Sequence, residues 1–285
     1  LNDSISEYIN LYKKNIQKND ASFFETITIM AFWYFKKMQV DYAIMETGLG
    51  GRLDSVSICN PVISVITSIS LDHAEILGNT LSKITKEKVG IIKPSVPCVT
   101  INNHPNEVQT IIENECMKKK SPLIISTNSK PLLYTIGLKG NVQHENALIA
   151  ELVIKTLNPT FNKTYIKQGL KNVKWYGRNQ IVQKQPLVIF DVAHNESGIA
   201  SFINFYQLLA KGKKILIISL QSRKKITSQI NAIVNTFDEI IICETKNKRT
   251  MTIDELQSEF NHASKIKCIK LDYDAINYAL NNATK

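Results

Sequence analysis

The sequence predicts an α/β protein built on mostly parallel sheets, and three observations support this fold class. Short runs rich in Val and Ile alternate with longer helical stretches, the order typical of a parallel sheet with flanking helices. Most of these runs lack polar alternation, which indicates strands buried on both faces. The 285 residues, with an apolar share of 44%, suffice for two domains with their own cores.

In the first half of the chain, residues 1–19 predict a polar, partly helical segment. Residues 21–38 predict a buried helix, with Ser22 as N-cap and Glu25 completing a capping box. The run 40–47 predicts a strand that ends at a Gly-rich turn. Further elements are expected as strands at 61–69, 96–101 and 122–127, helices at 81–92, 105–119, 141–156 and 164–172, and a loop or hairpin at 128–140.

A second α/β pattern starts near residue 186, and we therefore predict one domain over 1–176 and another over 177–285. The first strand of this pattern is the apolar run 187–190, which leads into Asp191. The later elements are expected as helices at 197–211, 224–236, 252–260 and 273–282, and strands at 214–220, 239–245 and 265–271.

The composition excludes several classes of protein. The net charge is +10, but Lys and Arg are spread along the chain without a nucleic-acid motif, which favours a basic surface that attracts anionic substrates. The five cysteines form no CxxC pair, so a zinc site is not expected. No apolar run is long enough for a membrane helix and no secretory signal is visible, so we expect a cytoplasmic protein.

Acidic residues follow three of the predicted strands. Glu46 precedes the glycines at 48, 50 and 51, Asp72 and His73 follow the run 61–69, and Asp191 follows the run 187–190. Ligands of open α/β sheets bind beyond the carboxyl ends of the strands. These residues therefore suit a magnesium or phosphate site, although a tight turn explains Glu46 and a surface histidine explains His73 equally simply.

Basic and polar residues add to these candidates. Lys86 and Lys88 on the predicted helix 81–92 either contact a phosphate or form a solvated charge run. Gly177-Arg178 precedes Asp191, and His194 and Asn195 open the next helix, where backbone N–H groups favour anions.

Together these segments resemble the folylpolyglutamate synthase and dihydrofolate synthase family of the Mur ligase superfamily. The resemblance rests on the order and intervals of several segments: SFFETITIMAFWYF, ETGLGGRLDSV, the stretch from PVISVITSISLDH to KEKVGIIKP, GNVQHENALIA, WYGRNQIV and DVAHNESG. It implies a Mur-ligase-type ATPase domain with an incomplete, mostly parallel sheet over 1–176. A smaller Rossmann-like glutamate-ligase domain over 177–285 follows.

The resemblance also implies roles for single residues. Glu46 and His73 match magnesium ligands. Lys88 matches a lysine that is carbamylated in the family, and its carbamate faces a second magnesium. Lys88 and His73 are thus the expected catalytic residues. The positions that match contacts to ATP are Asn146, Arg178, Asp191 and His194.

The implied activity is ATP-dependent addition of L-glutamate to dihydropteroate, to folate polyglutamates, or to both, through an acyl phosphate. The expected cofactors are ATP and two Mg²⁺ ions, and the expected state is a monomer that binds neither nucleic acid nor membrane. Two alternatives stay open: another Mur-type amino-acid ligase, and a non-catalytic relic.

The chain departs from the family pattern in several places. No phosphate-binding loop ending in Gly-Lys-Ser or Gly-Lys-Thr occurs in the 285 residues. We therefore expect a chain that begins inside the family pattern, lacks the first strand of the sheet and cannot ligate alone. Val192, Glu196 and the segment SLQSRKK also differ from the family, and the last strand of the second domain is expected to be missing.

Overall fold

The computed structural model describes residues 2–126, 134–209, 211–222, 224, 226–261 and 264–283. By their contacts the residues form two compact units. The first consists of 1–69 with 73–126, and the second of 70–72 with 127–285. The division predicted at residue 176 stays a prediction, and part of the loop predicted at 128–140 lies outside the described residues.

The first unit alternates helices with short strands. Its elements are α1 (Asn2–Lys18), α2 (Phe23–Met38), β1 (Ser64–Ile66), α3 (Ala74–Leu77), α4 (Leu81–Lys88), β2 (Cys98–Thr100), α5 (Asn106–Lys118) and β3 (Leu123–Ile125).

A parallel sheet of order β1-β2-β3 forms the centre of the first unit. Its strands fall within the three predicted runs but are each only three residues long. Cys98 and Val99 on the middle strand are fully buried, and Ile84 of α4 and Ile112 of α5 pack into the same core. The sheet thus carries both helices, and its carboxyl edge carries the loops that follow β1 and β2.

The helix predicted at 21–38 is present, and its predicted capping box is confirmed. Ser22 Oγ accepts from Glu25 N at 3.3 Å, and Glu25 Oε2 accepts from Ser22 N at 2.8 Å. The prediction that this helix is buried was wrong, because Phe23 is 81% exposed and Thr28 alone falls in the buried class. It contacts α1 and the 3-10 turn at Ser55–Ile58, and most of its residues are only partly covered.

The strand predicted at 40–47 is also wrong. The segment forms neither helix nor strand, and Ile44 is 96% exposed. A strand needs ladder hydrogen bonds as well as apolar residues, and no described strand pairs with this segment. Glu46 therefore does not follow a buried strand as expected.

The second unit contains longer helices and two separate sheets. Its elements are α6 (Asn141–Leu157), α7 (Lys163–Asn172), β4 (Gln180–Lys184), β5 (Leu187–Phe190), α8 (Glu196–Leu209), β6 (Ile215–Ile218), α9 (Ile230–Thr236), β7 (Glu239–Glu244), α10 (Ile253–Glu259), β8 (Ile266–Leu271) and α11 (Asp272–Asn282).

The larger sheet of the second unit is parallel, in the order β6-β7-β8. Ile240, Ile241 and Ile242 of the middle strand are fully buried, and Ile233 of α9 and Leu256 of α10 pack against the same sheet. The predicted α/β class with mostly parallel sheets is confirmed. In the described residues, no helix is long and apolar enough to cross a membrane.

Two local predictions in the second unit were wrong. The run at 187–190 does form a strand, but it pairs antiparallel with β4 in a separate hairpin instead of joining the parallel sheet. The mostly exposed strand β4 mixes Gln and Lys with two apolar residues, so its sequence shows no buried run. The helix expected from 224 begins only at Ile230, after a 3-10 turn at Thr227–Gln229.

Candidate functional site

One buried carboxylate organises the glycine-rich turn after Glu46. Asp54 Oδ2 accepts a hydrogen bond from Leu49 N at 2.8 Å, and its Oδ1 accepts one from Val56 N at 2.9 Å. Gly50 takes the left-handed conformation with φ of 67°, which glycine adopts without steric cost. Asp54 therefore fixes both ends of the turn, while Glu46 stays exposed at its start.

The end of α4 packs directly on this turn, and we call the contact the turn–helix junction (Gly51, Arg52, Glu87, Lys88 and Gly90). Arg52 N donates to Glu87 O at 2.8 Å, so a backbone hydrogen bond ties the turn to the end of α4. A Cβ on Gly90 would lie 2.3 Å from Arg52 Cα, and a Cβ on Gly51 would lie 2.7 Å from Lys88 O. The two backbones approach this closely because both positions are glycine.

A side-chain ion pair adds a second link across the turn–helix junction. Arg52 Nη2 lies 3.0 Å from Glu87 Oε1, and Arg52 Nε lies 3.2 Å from Glu87 Oε2. Lys88 is the last residue of α4 and is half-buried. In the described part of the chain, its ammonium makes no hydrogen bond or ion pair. The predicted carbamylation site is therefore held by its backbone, with an amine that is not engaged.

His73 begins the short helix α3 in a left-handed conformation, with φ of 51° and ψ of 38°. Few residues other than glycine adopt this conformation, although histidine is among those enriched there. The ring is exposed and does not cap the helix. The backbone thus turns sharply at a position predicted to bind metal.

The predicted metal ligands Glu46, His73 and Lys88 all belong to the first unit. Among the residues that the structure describes, no three His, Cys, Asp or Glu side chains converge on one point. Magnesium prefers oxygen ligands, so the Glu46 carboxylate suits it and a lysine amine does not. A carbamate on Lys88 would supply oxygen atoms, so Glu46 and the carbamate would offer the ligand type that magnesium prefers, and His73 would add a ring nitrogen.

In the second unit, Asp191 joins the hairpin to the turn that displays Arg178. Asp191 Oδ2 accepts from Asn179 N and its Oδ1 accepts from Ala193 N, both at 2.7 Å. Val192 N donates to Gly177 O at 3.0 Å across the same turn. Both carboxylate oxygens of Asp191 thus shape the backbone, and Arg178 projects from an ordered turn as an exposed side chain.

Asn179 connects the same turn to the start of α6. It is 6% exposed and donates through Nδ2 to Lys139 O at 2.9 Å. Gly140 follows with φ of 101°, and a Cβ there would lie 2.6 Å from Asn179 Nδ2. Asn146, predicted to contact ATP, is exposed on α6, where its Nδ2 donates to Gln143 Oε1 at 3.3 Å.

Asp72 contacts three side chains of the second unit, and we call this group the Asp72 cluster (Asp72, His194, Asn195 and Lys224). Asn195 Nδ2 donates to Asp72 Oδ2 at 2.8 Å, and Lys224 Nζ lies 2.8 Å from Asp72 Oδ1. His194 Nε2 lies 3.6 Å from Asp72 Oδ2. The cluster therefore combines one anion with up to two cations.

Two cavities of the first unit lie beside the start of α2. Their volumes are about 480 and 380 Å³, and they share several lining residues. These volumes fall in the usual range of small-molecule sites. The Phe24 ring lines the smaller cavity and packs on Gly48, where a Cβ would lie 2.5 Å from ring carbon Cζ. The residues shared by both cavities are Glu25, Arg52, Leu53, Asp54 and Ser55.

One buried histidine follows β2 at the carboxyl edge of the sheet. His104 is 9% exposed, and its Nε2 lies 2.9 Å from Thr100 Oγ1. Thr100 Oγ1 donates to Ile66 O at 2.9 Å. Burial lowers the pKa of the His104 imidazole below its ordinary value.

Several of these residues were missed from the sequence. Lys224 lies in the segment SLQSRKK, which was noted only as a departure from the family, whereas its side chain is 15% exposed and paired with Asp72. Asn179 and His104 were not predicted to have a role. Their partners Lys139 and Thr100 belong to no recognisable motif. The sequence therefore shows no pattern from which these contacts could have been predicted.

Sequence profiles of two Mur ligase domains match the chain. The profile of the Mur ligase middle domain covers residues 2–131, and that of the Mur ligase glutamate ligase domain covers 177–285. The dihydrofolate synthase/folylpolyglutamate synthase of Bacillus subtilis is 36% identical over 203 residues, which are 62% of this chain and 47% of that protein. The folylpolyglutamate synthase of Lacticaseibacillus casei is 28% identical over 258 residues, 80% of this chain and 60% of that protein. The chain thus spans less than two thirds of these relatives.

Solved structures agree with these sequence matches. Folylpolyglutamate synthase of Mycobacterium tuberculosis superposes with a TM-score of 0.87 at 22% identity, over 98% of this chain and 71% of that one. E. coli FolC in complex with DHPP and ADP superposes with a TM-score of 0.82 at 26% identity, over 93% and 66%. The first similarity shows the fold, and the two profiles with the named relatives show the family. The chain belongs to the Mur ligase family, whose two domain profiles together cover most of it, and the named relatives are folylpolyglutamate and dihydrofolate synthases.

Proposed function

We propose that this protein is an ATP-dependent ligase that adds L-glutamate to dihydropteroate, to folate and its polyglutamates, or to both. The observation that carries the proposal is the succession of a Mur ligase middle domain and a glutamate ligase domain in one chain. Named relatives support the folate branch. The E. coli structure holds DHPP and ADP, and another related structure is a complex of folylpolyglutamate synthase with AMPPCP and folate.

The proposed metal ligands are Glu46, His73 and Lys88, with Lys88 as a carbamate. Magnesium would neutralise charge on the phosphates during transfer. The carboxylate oxygens of Glu46 and the carbamate suit this ion, and the turn–helix junction fixes the backbone that carries Lys88. Lys88 and His73 are the proposed catalytic residues.

The proposed nucleotide contacts are Asn146, Arg178, Asp191 and His194, all in the second unit. Arg178 is exposed on an ordered turn and offers a cation to phosphate. Asp191 holds that turn through its two backbone hydrogen bonds. The net charge of +10 attracts polyanions such as ATP and polyglutamates.

The reaction proceeds in two steps. First, an oxygen of the substrate carboxylate attacks the γ-phosphorus of ATP, and the bond to the β-phosphate oxygen breaks, which gives an acyl phosphate and ADP. Second, the amine of glutamate attacks the acyl carbon, loses a proton and expels inorganic phosphate. Positive side chains such as Arg178 stabilise the charge on the transferring phosphoryl group. The acyl phosphate hydrolyses readily, so the residues around it must exclude water.

The two cavities beside α2 support a folate-type acceptor. A pterin is a flat heteroaromatic ring, and the Phe24 ring offers an apolar face to stack against it. Arg52, which lines both cavities, offers a cation to the acidic part of such a substrate. We therefore place the acceptor in the first unit, beside the glycine-rich turn.

The proposal is tested by ligation with the whole encoded polypeptide, ATP, magnesium and labelled glutamate. Lys88→Ala is expected to lower kcat on the order of a hundredfold, because charge stabilisation in the transition state is lost. Lys86→Ala is the matched control, since Lys86 is exposed on the same helix and should keep its activity.

The acceptors to compare are dihydropteroate, a reduced folate monoglutamate and a nucleotide-linked muramyl peptide. Ligation to the muramyl peptide alone would overturn the folate assignment. Equal activity of the two lysine variants would remove Lys88 from the mechanism, and ligation of no acceptor would favour a non-catalytic relic.

A further inference from the structure

The turn that displays Arg178 is held by hydrogen bonds from more than one direction. Gly177 N donates to Gln180 Oε1 at 2.9 Å, and Gly177 O accepts from Val192 N at 3.0 Å. Gly177 and Asn179, which flank Arg178, both take left-handed conformations, with φ of 74° and 44°. The backbone on either side of the exposed arginine is therefore fixed, and it determines the direction in which the arginine leaves the turn.

Asn179 ties this turn to a second element that carries a proposed nucleotide contact. Its Nδ2 donates to Lys139 O at 2.9 Å, next to Gly140, the N-cap of α6. Gly140 approaches the same amide so closely that a Cβ there would lie 2.6 Å from Nδ2. Asn146 follows on the second turn of α6, about 9 Å along the helix axis from Gly140. One side chain thus links the turn of Arg178 to the helix of Asn146.

The Asn179 side chain contributes more to position than to stability. It is 6% exposed, and among the described residues its Oδ1 has no hydrogen-bond partner. A buried acceptor without a donor costs more free energy than one neutral hydrogen bond contributes. Glycine would adopt the left-handed backbone at this position without steric cost. What asparagine adds over glycine is therefore the link to Lys139 O.

We propose that Asn179 is a positioning residue for nucleotide binding, which sets the spacing between Arg178 on the turn and Asn146 on α6. The inference rests on the proposed function, in which both residues contact ATP, and every residue it involves lies in the second unit. Two contacts to one ligand bind most tightly when the protein holds them at the right spacing before the ligand arrives. Asn179 acts through these two residues by holding their backbones together.

The test measures the binding of ADP with magnesium to the whole encoded polypeptide by isothermal titration calorimetry. Asn179→Gly keeps the left-handed backbone and removes the link to Lys139. It is expected to raise Kd about three- to tenfold, the range of one neutral hydrogen bond. Asn261→Gly, the matched control, makes the same substitution at an exposed left-handed position after α10 and should leave Kd unchanged.

A double-mutant cycle separates positioning from a general loss of folded protein. In an Arg178→Ala background, Asn179→Gly is expected to raise Kd less than about twofold, because the contact that Asn179 positions is already removed. Partial unfolding would instead weaken binding by the same factor in both backgrounds. Thermal melting measures the folded fraction of each variant at the temperature of the titration.

Two results would overturn the inference and leave the proposed function intact. One is an Asn179→Gly protein that binds ADP as tightly as wild type, and the other is an equal loss of affinity with and without Arg178. A wild-type protein that binds no ADP would overturn the proposed nucleotide contacts, and the positioning role of Asn179 with them.

Discussion

The turn–helix junction of the first unit and the Asp72 cluster of the second are held together by different forces. At the junction, two glycines let the backbones approach so closely that a single methyl group would not fit. In the Asp72 cluster, side chains far apart in sequence meet through charge-assisted hydrogen bonds. Adding side-chain volume should therefore destabilise the turn–helix junction, whereas removing a charge should destabilise the Asp72 cluster.

The largest effect is expected at the junction. Gly90→Ala would place a Cβ 2.3 Å from Arg52 Cα, where neither backbone can yield easily. We expect a loss of about 3 kcal/mol in the free energy of unfolding, the upper range for overpacking. Urea denaturation measures it, and added salt should not change the loss.

Gly169→Ala is the matched control for this substitution. Gly169 lies inside α7, and a Cβ there meets nothing within 4 Å. Alanine should stabilise this helix by about 0.5 kcal/mol, because glycine loses more backbone entropy on folding. A Gly90→Ala protein as stable as Gly169→Ala would contradict the steric account of the junction.

A smaller effect is expected in the Asp72 cluster. Lys224→Ala removes the cation 2.8 Å from Asp72 Oδ1 and keeps the hydrogen bond from Asn195 Nδ2 to Asp72 Oδ2. The expected loss is about 1.5 kcal/mol in low salt, the range for hydrogen bonds to charged groups. Denaturation at low and high salt checks this, and the loss should shrink as salt screens the pair.

If the loss at Lys224 were independent of salt, packing of the lysine stem would explain it better than charge. Lys155→Ala provides the comparison, since its pair with Glu151 leaves the lysine 40% exposed. Ion pairs at i,i+4 spacing within one helix contribute about 0.2 to 0.5 kcal/mol.

The smallest effect on stability is expected from a change in pH. The first unit is not sensitive to volume alone, because it contains the buried histidine His104. Burial lowers the pKa of His104, so below pH of about 6.5 the unfolded chain binds more protons than the folded one. Stability from the neutral ring is complete above that pH and falls as the pH drops toward the folded pKa.

His104→Gln should therefore narrow the difference in unfolding free energy between pH 7.5 and pH 5.5, relative to wild type, since the amide still reaches Thr100 but does not titrate. His144→Gln, at an exposed position on α6, is the control. If the free energy of unfolding depended on pH in the same way in wild type and His104→Gln, the buried ring would not cause the loss of stability at low pH.

Local features of this chain could be predicted from sequence, and long-range ones could not. The capping box of Ser22 and Glu25 is a contact over three residues and was predicted correctly. Most of the parallel strands were found because they lie in short runs rich in Val and Ile. The segment 40–47 is also mostly apolar, but a strand needs a neighbouring strand as well, which composition does not supply.

The candidate site shows the same difference between local motifs and long-range contacts. Glu46, His73, Lys88 and Asp191 could be proposed from the sequence because they belong to motifs. The contact between Asp72 and Lys224 spans 152 residues, and no periodicity or spacing links two positions that far apart. The close approach of Gly90 to Arg52 is likewise a property of the folded backbone, and the helix predicted at 81–92 gave no indication of it.

The assignment of residues 70–72 to the second unit bears on how such a protein can be recombined. Cutting the chain at residue 126 leaves Asp72 on one piece and Asn195 and Lys224 on the other. Swapping the glutamate-ligase half for that of a relative would pair Asp72 with a foreign residue at position 224. A hybrid with an acidic residue there would start with two facing anions. Chimeras in which a basic residue at position 224 faces Asp72 should therefore be chosen first, before overall sequence similarity is considered.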